Sequence, residues 1–229
     1  MSFTPLVSYQ GANSGRGLSP GLWAKQPRDF QDLNVGFGIT DDFLTFDDEN
    51  KWVLTQATAG TVALDVAAKG GVLLLDSNST TNNQGVQIQL GGAAGASSFI
   101  PSATSKIYYE ARIKAADIGS TTCQVFAGLA IVDTSVFASA ANSTANHIGY
   151  EAINSTAVGI HSEKAGTRSS TASAHTLVDD TYVKLGFVVD GLTSVTPYVN
   201  GVAKTAITTN IPIVALTPSF VCHSSGTTD

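Results

Sequence analysis

From Asp41 onward the chain is a succession of short runs in which apolar residues alternate with polar ones or stand together briefly. Gly, Asn, Asp and Ser fall between the runs, and no segment sustains the 3.6-residue period of an amphipathic helix. That pattern confines the fold to the all-β class. Val86-Gln87-Ile88-Gln89-Leu90 alternates strictly and predicts a strand with three apolar side chains on one face and two glutamines on a wet one. Lys106 to Lys114 does the same: Ile107, Tyr109, Ala111 and Ile113 share one face, while Lys106, Tyr108, Glu110, Arg112 and Lys114 share a face turned to solvent. Trp52 to Ala57, Thr61 to Val66 and Val72 to Asp76 complete the early strands.

Two runs are almost wholly apolar, Val125 to Val132 and Leu185 to Val189, as expected of central strands covered on both sides. Ile148 to Ile153 and Val158 to Glu163 read as a strand pair, and Val136 to Ala145 as a short helix or a loop. Ala165 to Ala174 holds too little apolar content for a core and is expected to be an exposed loop. Tyr182 to Asp190, Val195 to Asn200 and Val202 to Ile207 form a meander, closed by Asn200-Gly201, the dipeptide that best supplies two positive φ angles for a type I′ turn. About a dozen strands without an amphipathic helix leave a two-sheet sandwich or a barrel, of which the sandwich better suits strands with one wet face.

Residues 1–40 differ. They hold three prolines, Pro5, Pro20 and Pro27, and large apolar residues without period: Leu22, Trp23, Phe30, Leu33 and Phe37. Such an arm either packs across its own domain or reaches over a neighbouring subunit, because Trp and Phe on a free arm are costly to keep in water. The expected organisation is an extended arm, 1–40, and a sandwich, 41–229.

Composition narrows the partners. Charged residues are 13% of the chain against 43% apolar, which excludes intrinsic disorder, and 12 basic against 18 acidic residues, net −6, exclude a nucleic-acid groove or an anionic membrane patch. Cys123 and Cys222 encode neither a disulfide framework nor a zinc site and read as small buried apolar residues. Met1 to Gln10 carries no basic segment followed by an apolar one, and no stretch approaches the roughly 20 apolar residues of a membrane span, so assembly in the cytoplasm is expected. The triplets beginning at Asn78, Asn142 and Asn154 match the glycosylation acceptor pattern, which Ser/Thr-rich sequence produces by chance.

Four pieces, Tyr108-Tyr109-Glu110-Ala111-Arg112-Ile113-Lys114, Phe126-Ala127-Gly128-Leu129, Ile148-Gly149-Tyr150-Glu151 and Tyr182-Val183-Lys184-Leu185-Gly186-Phe187 running into Tyr198-Val199-Asn200-Gly201, carry a resemblance. The stretch resembles the concanavalin-A-like jelly roll shared by legume lectins, laminin-G-type modules and laminarinase-type glucanases. It covers less than half of the chain and implies a jelly-roll β-sandwich, with no particular activity. Ser19-Pro20-Gly21-Leu22-Trp23 ahead of Asp41-Asp42-Phe43 is, in addition, similar to proteins that tailed bacteriophages encode among their head genes. Jelly rolls of this type usually finish with a further strand after the region matching Thr217 to Val221. That strand's place would fall to sequence beyond Asp229, to the N-terminal segment or to a neighbouring subunit.

No catalytic pattern is complete. Laminarinase-type enzymes set carboxylates on alternate residues of one strand as Glu-x-Asp-x-x-Glu, and here Glu49, Glu110, Glu151 and Glu163 stand singly, while Asp47-Asp48-Glu49 reads as a solvated tip. Gly17-Leu18-Ser19-Pro20-Gly21 spells a nucleophile elbow, but Pro20 has no N–H to lend to an oxyanion. Val72 to Asp76 lacks the phosphate loop that would make it a magnesium-holding strand, and reads as a buried strand ending in a turn. His147, His161, His175 and His223 are spaced too widely for a local metal site and read as lone surface or strand-end residues, although distant strands could bring two together. Asp117, Asp133, Asn142 and Asn146, with Phe137 or Tyr150 as a stacking ring, are the residues available to imitate a calcium-dependent lectin site.

The expectation is therefore a non-enzymatic phage virion protein that decorates or cements the head surface, with no cofactor or metal. Its partners would be the major capsid protein and sister subunits, a trimer suiting three-fold positions, and its arm would bind through Leu22, Trp23, Phe30 and Phe37. The alternative is a lectin-like module that binds surface glycans.

Overall fold

The computed structural model describes residues 17–23, 36–48, 50–57, 60–68, 70–78, 81, 84–91, 99–116, 123–136 and 146–224. One helical turn, α1 (Pro20–Trp23), precedes thirteen described strands: β1 (Trp52–Gln56), β2 (Thr61–Leu64), β3 (Leu73–Asp76), β4 (Gly85–Leu90), β5 (Lys106–Ile113), β6 (Cys123–Ala130), β7 (His147–Ile153), β8 (Ala157–Lys164), β9 (Thr167–Thr176), β10 (Val183–Asp190), β11 (Ser194–Val199), β12 (Val202–Ala203) and β13 (Thr217–Ser224). They form a seven-stranded sheet in the order β1-β4-β13-β6-β7-β8-β9, a four-stranded sheet in the order β12-β11-β10-β5, and the β2-β3 hairpin. All the pairings are antiparallel.

The period-two alternation puts the core between the two larger sheets. Leu129, Ile148, Tyr150, Val158 and Ile160 from one meet Ile107, Tyr109, Leu185, Phe187 and Val195 from the other. Tyr150 joins the layers directly. Its buried hydroxyl lies 2.7 Å from the Gly186 carbonyl and 2.9 Å from that of Tyr198, and accepts the Tyr198 N–H at 3.1 Å. The β11–β12 turn is as expected, with Asn200 at φ 48° and Gly201 at φ 78°.

Five expectations need correction. The glutamine face of β4 is buried, because residues 131–136 lie over it and use the amides as a second backbone. Gln87 accepts the Val136 N–H at 2.9 Å and donates to the Asp133 carbonyl; Gln89 accepts the Asp133 N–H at 3.0 Å and donates to Ile131 O at 2.9 Å and to Ser219 Oγ at 2.8 Å. Ala165 to Ala174 is mostly strand β9, paired with β8 from Ala157↔Thr176 to Lys164↔Thr167; as an edge strand it needs few apolar residues. Val72 to Asp76 is half-exposed in the β2-β3 hairpin rather than buried, and Cys222 is only half-buried. The place beside Thr217 to Val221 is not vacant, since β13 pairs with β4 on one side and β6 on the other.

Of the arm, residues 17–23 pack across their own sandwich. Ser19 donates its N–H to Glu110 Oε1 at 3.1 Å, its carbonyl accepts from Leu22 and Trp23, and Pro20 stands first in the turn, where no N–H is required. Leu22 is 1% exposed and Trp23 stacks on Tyr108 with ring centroids 5.9 Å apart. Phe37 stacks on Phe99 at 4.9 Å yet stays 54% exposed, and Phe30 lies outside the described residues.

Candidate functional site

Side chains of the seven-stranded sheet that point away from the core meet two fates. Over β4, β13 and β6 they are covered by residues 131–136, with Val136 packed on Phe126, Ala130 and Val221. Over β7, β8 and β9 they form a charged cluster beside an open cleft.

Ladder register assembles that cluster. Period two puts His147, Gly149 and Glu151 of β7 on the outer side, and Gly159, His161 and Glu163 of β8 join them through the pairs His147↔Glu163, Gly149↔His161 and Glu151↔Gly159. Arg168 of β9 lies opposite Glu163. Its guanidinium bridges both carboxylates: Nη1 donates to Glu151 Oε2 at 2.9 Å and Nε to Glu163 Oε2 at 2.9 Å. The other Glu151 oxygen lies 2.8 Å from His147 Nε2. Nη1 of Arg168 is also 3.2 Å from His161 Nδ1, while His161 Nε2 stands 4.0 Å from Glu151 Oε2.

Electrostatics follow from these partners. Burial pushes the Glu151 carboxyl up, but the His147 hydrogen bond and the adjacent guanidinium outweigh it and hold the group below the ordinary glutamate range, so it is ionised at neutral pH. Burial pushes the His161 imidazole down, to about 4, against the pull of Glu151. His161 is therefore neutral at pH 7. Glu151 is 3% exposed, and the side chains of His161 and Arg168 are 17% and 18% exposed. The cleft holds about 220 Å³ and is lined by Glu151, Ile153, Ala157, Gly159, His161, Ser170, Thr171 and Ser173. A carboxylate, an imidazole and several hydroxyls make it a polar recess suited to a hydroxylated ligand.

Sequence reasoning left these residues separate. Glu151 and Glu163 do not stand singly, and His147 and His161 are not lone surface residues. His223 is also buried, in β13. The signal was present as polar or ionisable side chains two or four positions apart in otherwise apolar strands, His147 with Glu151 and His161 with Glu163. Of the residues available to imitate a lectin site, Tyr150 is buried in the core, Asp133 bonds Ser135 through its side chain and Asn146 accepts the Ala165 N–H, while Asp117, Phe137 and Asn142 lie outside the described residues. Among the described residues no cluster of three or more His, Cys, Asp or Glu is arranged to hold a metal ion.

No protein-family model matches the chain, and no curated protein sequence matches it. Solved structures do. A glycoside hydrolase family 16 endo-glucanase from Bacteroides ovatus superposes with a TM-score of 0.53 at 17% identity, covering 82% of this chain and 89% of its own. The Bacillus licheniformis β-glucanase gives 0.54 at 15%, covering 80% and 83%. A prokaryotic β-1,3-1,4-glucanase from a mouse hindgut metagenome gives 0.52 at 13%, covering 82% and 91%.

The fold is a concanavalin-A-like jelly roll. At these identities the likeness establishes the sandwich and not an activity. The expectation of a non-enzymatic protein falls with its premise: the carboxylates that argued against catalysis by standing apart converge on one guanidinium, in a sandwich shared with the glucanases named above. A Glu-x-Asp-x-x-Glu pattern lies on one strand, whereas Glu151 and Glu163 come from two. Nothing in the comparisons links the chain to a phage decoration protein.

Proposed function

We propose that this jelly roll is a carbohydrate-binding protein and that it takes a neutral saccharide into the cleft over β7, β8 and β9. The observation that carries the reading is the Glu151–Arg168–His161 cluster, fixed by ion pairs at the border of a recess whose remaining polar lining is hydroxyl-bearing. Carboxylate and imidazole can hydrogen-bond sugar hydroxyls, and their rigid mounting lowers the cost of ordering the site on binding. Support also comes from the glucanases that share the sandwich, which makes β-linked glucose polymers the first ligands to try. Arg168 is occupied by two carboxylates, so among the described residues of this cluster no cation is left to recruit an anionic sugar.

The test is calorimetric titration with mixed-linkage β-glucan, laminarin and cello-oligosaccharides, with release of reducing ends followed in the same samples. Binding lost in Ser170→Trp, which fills the cleft from an exposed position, is the expected result; absence of binding to every glucan would overturn the reading. Capsid protein and sister subunits as partners, a trimer among them, and a place on the virion rest on sequence resemblance alone. Leu22 and Trp23, offered there as anchors, already contact their own sandwich.

A further inference from the structure

An arginine guanidinium can only donate, so His161 Nδ1, 3.2 Å from Arg168 Nη1, must accept. That contact fixes the tautomer: the imidazole proton sits on Nε2. Nε2 in turn stands 4.0 Å from Glu151 Oε2, too far for a direct hydrogen bond. Glu151 Oε2 takes a single bond from Arg168 and keeps a second lone-pair direction. Gly159, directly across the ladder from Glu151, leaves the approach to this pair open. A Cβ there would come within 3.2 Å of His161 Nε2 and 2.9 Å of the Thr171 carbonyl.

Resting on the glycan reading above, we propose that His161 Nε2–H and Glu151 Oε2 form a donor–acceptor pair that reads one alcohol hydroxyl of the ligand, which accepts from the imidazole and donates to the carboxylate. A 4.0 Å separation lets one oxygen lie within hydrogen-bond reach of both atoms. Only a group that donates and accepts through a single atom satisfies both. A carboxylate is repelled by Glu151, an ether or fluorine leaves Oε2 without its proton, and a deoxy carbon leaves both partners unsatisfied, which is why recognition of this kind rejects the analogue strongly. Arg168 acts as a positioning residue: it contacts no ligand but holds Glu151, Glu163 and His161 in register.

Two measurements test this, one without any ligand. Imidazole 15N shifts of the full chain between pH 6 and 8 are expected to show His161 protonated on Nε2 alone; the Nδ1–H tautomer or an imidazolium would overturn the proposal. The second takes cellotetraose, laminaritetraose and a mixed-linkage tetrasaccharide as probes. For whichever binds, His161→Phe should weaken binding about tenfold or more, and His161→Gln, which keeps an acceptor for Arg168 and a donor for the cleft, should recover part of it. Thermal melting of each variant checks folding, and Ser170→Trp, directly across the ladder from His161, gives loss of binding by filling the cleft. Tight binding kept in folded His161→Phe would overturn this inference and leave the glycan reading standing, whereas failure of all three probes to bind the unaltered chain would overturn both.

Discussion

The outward faces of the two large sheets obey the same alternation and resolve it in opposite ways. On the four-stranded sheet the charged residues of β5 remain near water: Lys106 pairs with Asp190 at 3.2 Å, Arg112 lies 3.4 Å above the Tyr182 ring, and Glu110 receives the Ser19 N–H from the turn that covers the sheet. On the seven-stranded sheet Glu151 and Glu163 are nearly withdrawn from solvent and depend on one guanidinium. A charge near water can exchange one partner for another, while a buried charge has only those the fold supplies. The first face is built for stability and the second for fixed geometry, at a cost in desolvation.

Arg168→Met is the severest way to break this contrast. It strands two buried carboxylates and should remove about 3–5 kcal/mol of stability in urea unfolding; a loss near that of a surface substitution would mean that the carboxylates find water. On the opposite face Leu22→Ala should cost about 2–3 kcal/mol through lost burial against the sheet, read as a lower denaturation midpoint. A negligible loss would mean that the turn from Pro20 to Trp23 docks without stabilising.

Acid should then separate the faces. The unfolded chain binds a proton on His161 near pH 6.5, while the folded chain resists until about pH 4, so stability is complete above 6.5 and falls as pH drops toward 4. Glu151, held below its ordinary value, carries the loss lower still. His147, Glu163 and Arg168 face the same cluster, so the slope belongs to the group as a unit. Melting temperatures measured from pH 7 to 4 should fall less in His161→Gln. The smallest expected effect is Lys106→Ala: its pair with Asp190 is about half exposed on both sides, and the change in stability should stay within about 0.5 kcal/mol.

How much was legible depended on whether local chemistry decided the outcome. Asn200-Gly201 announced its hairpin because the turn itself demands positive φ. The sandwich was readable from alternation in β4 and β5 and from the apolar run in β6. Burial of Gln87 and Gln89 was not, since it depends on residues 131–136 arriving from more than forty positions away. β9 was missed because an edge strand with one neighbour can be built from Ser, Thr and Ala. Losing that strand hid Arg168, and without Arg168 the two glutamates had no visible reason to be related.

Tyr150 and Glu151 are consecutive in β7 and point in opposite directions, one hydroxyl fastened through the interior to the backbone of β10 and β11, one carboxylate bordering the recess. Any shear of one leaf of the sandwich over the other must first detach that phenol. The strand that carries Glu151 to the recess is therefore pinned to the opposite leaf, and displacing it costs both bonds made by that phenol.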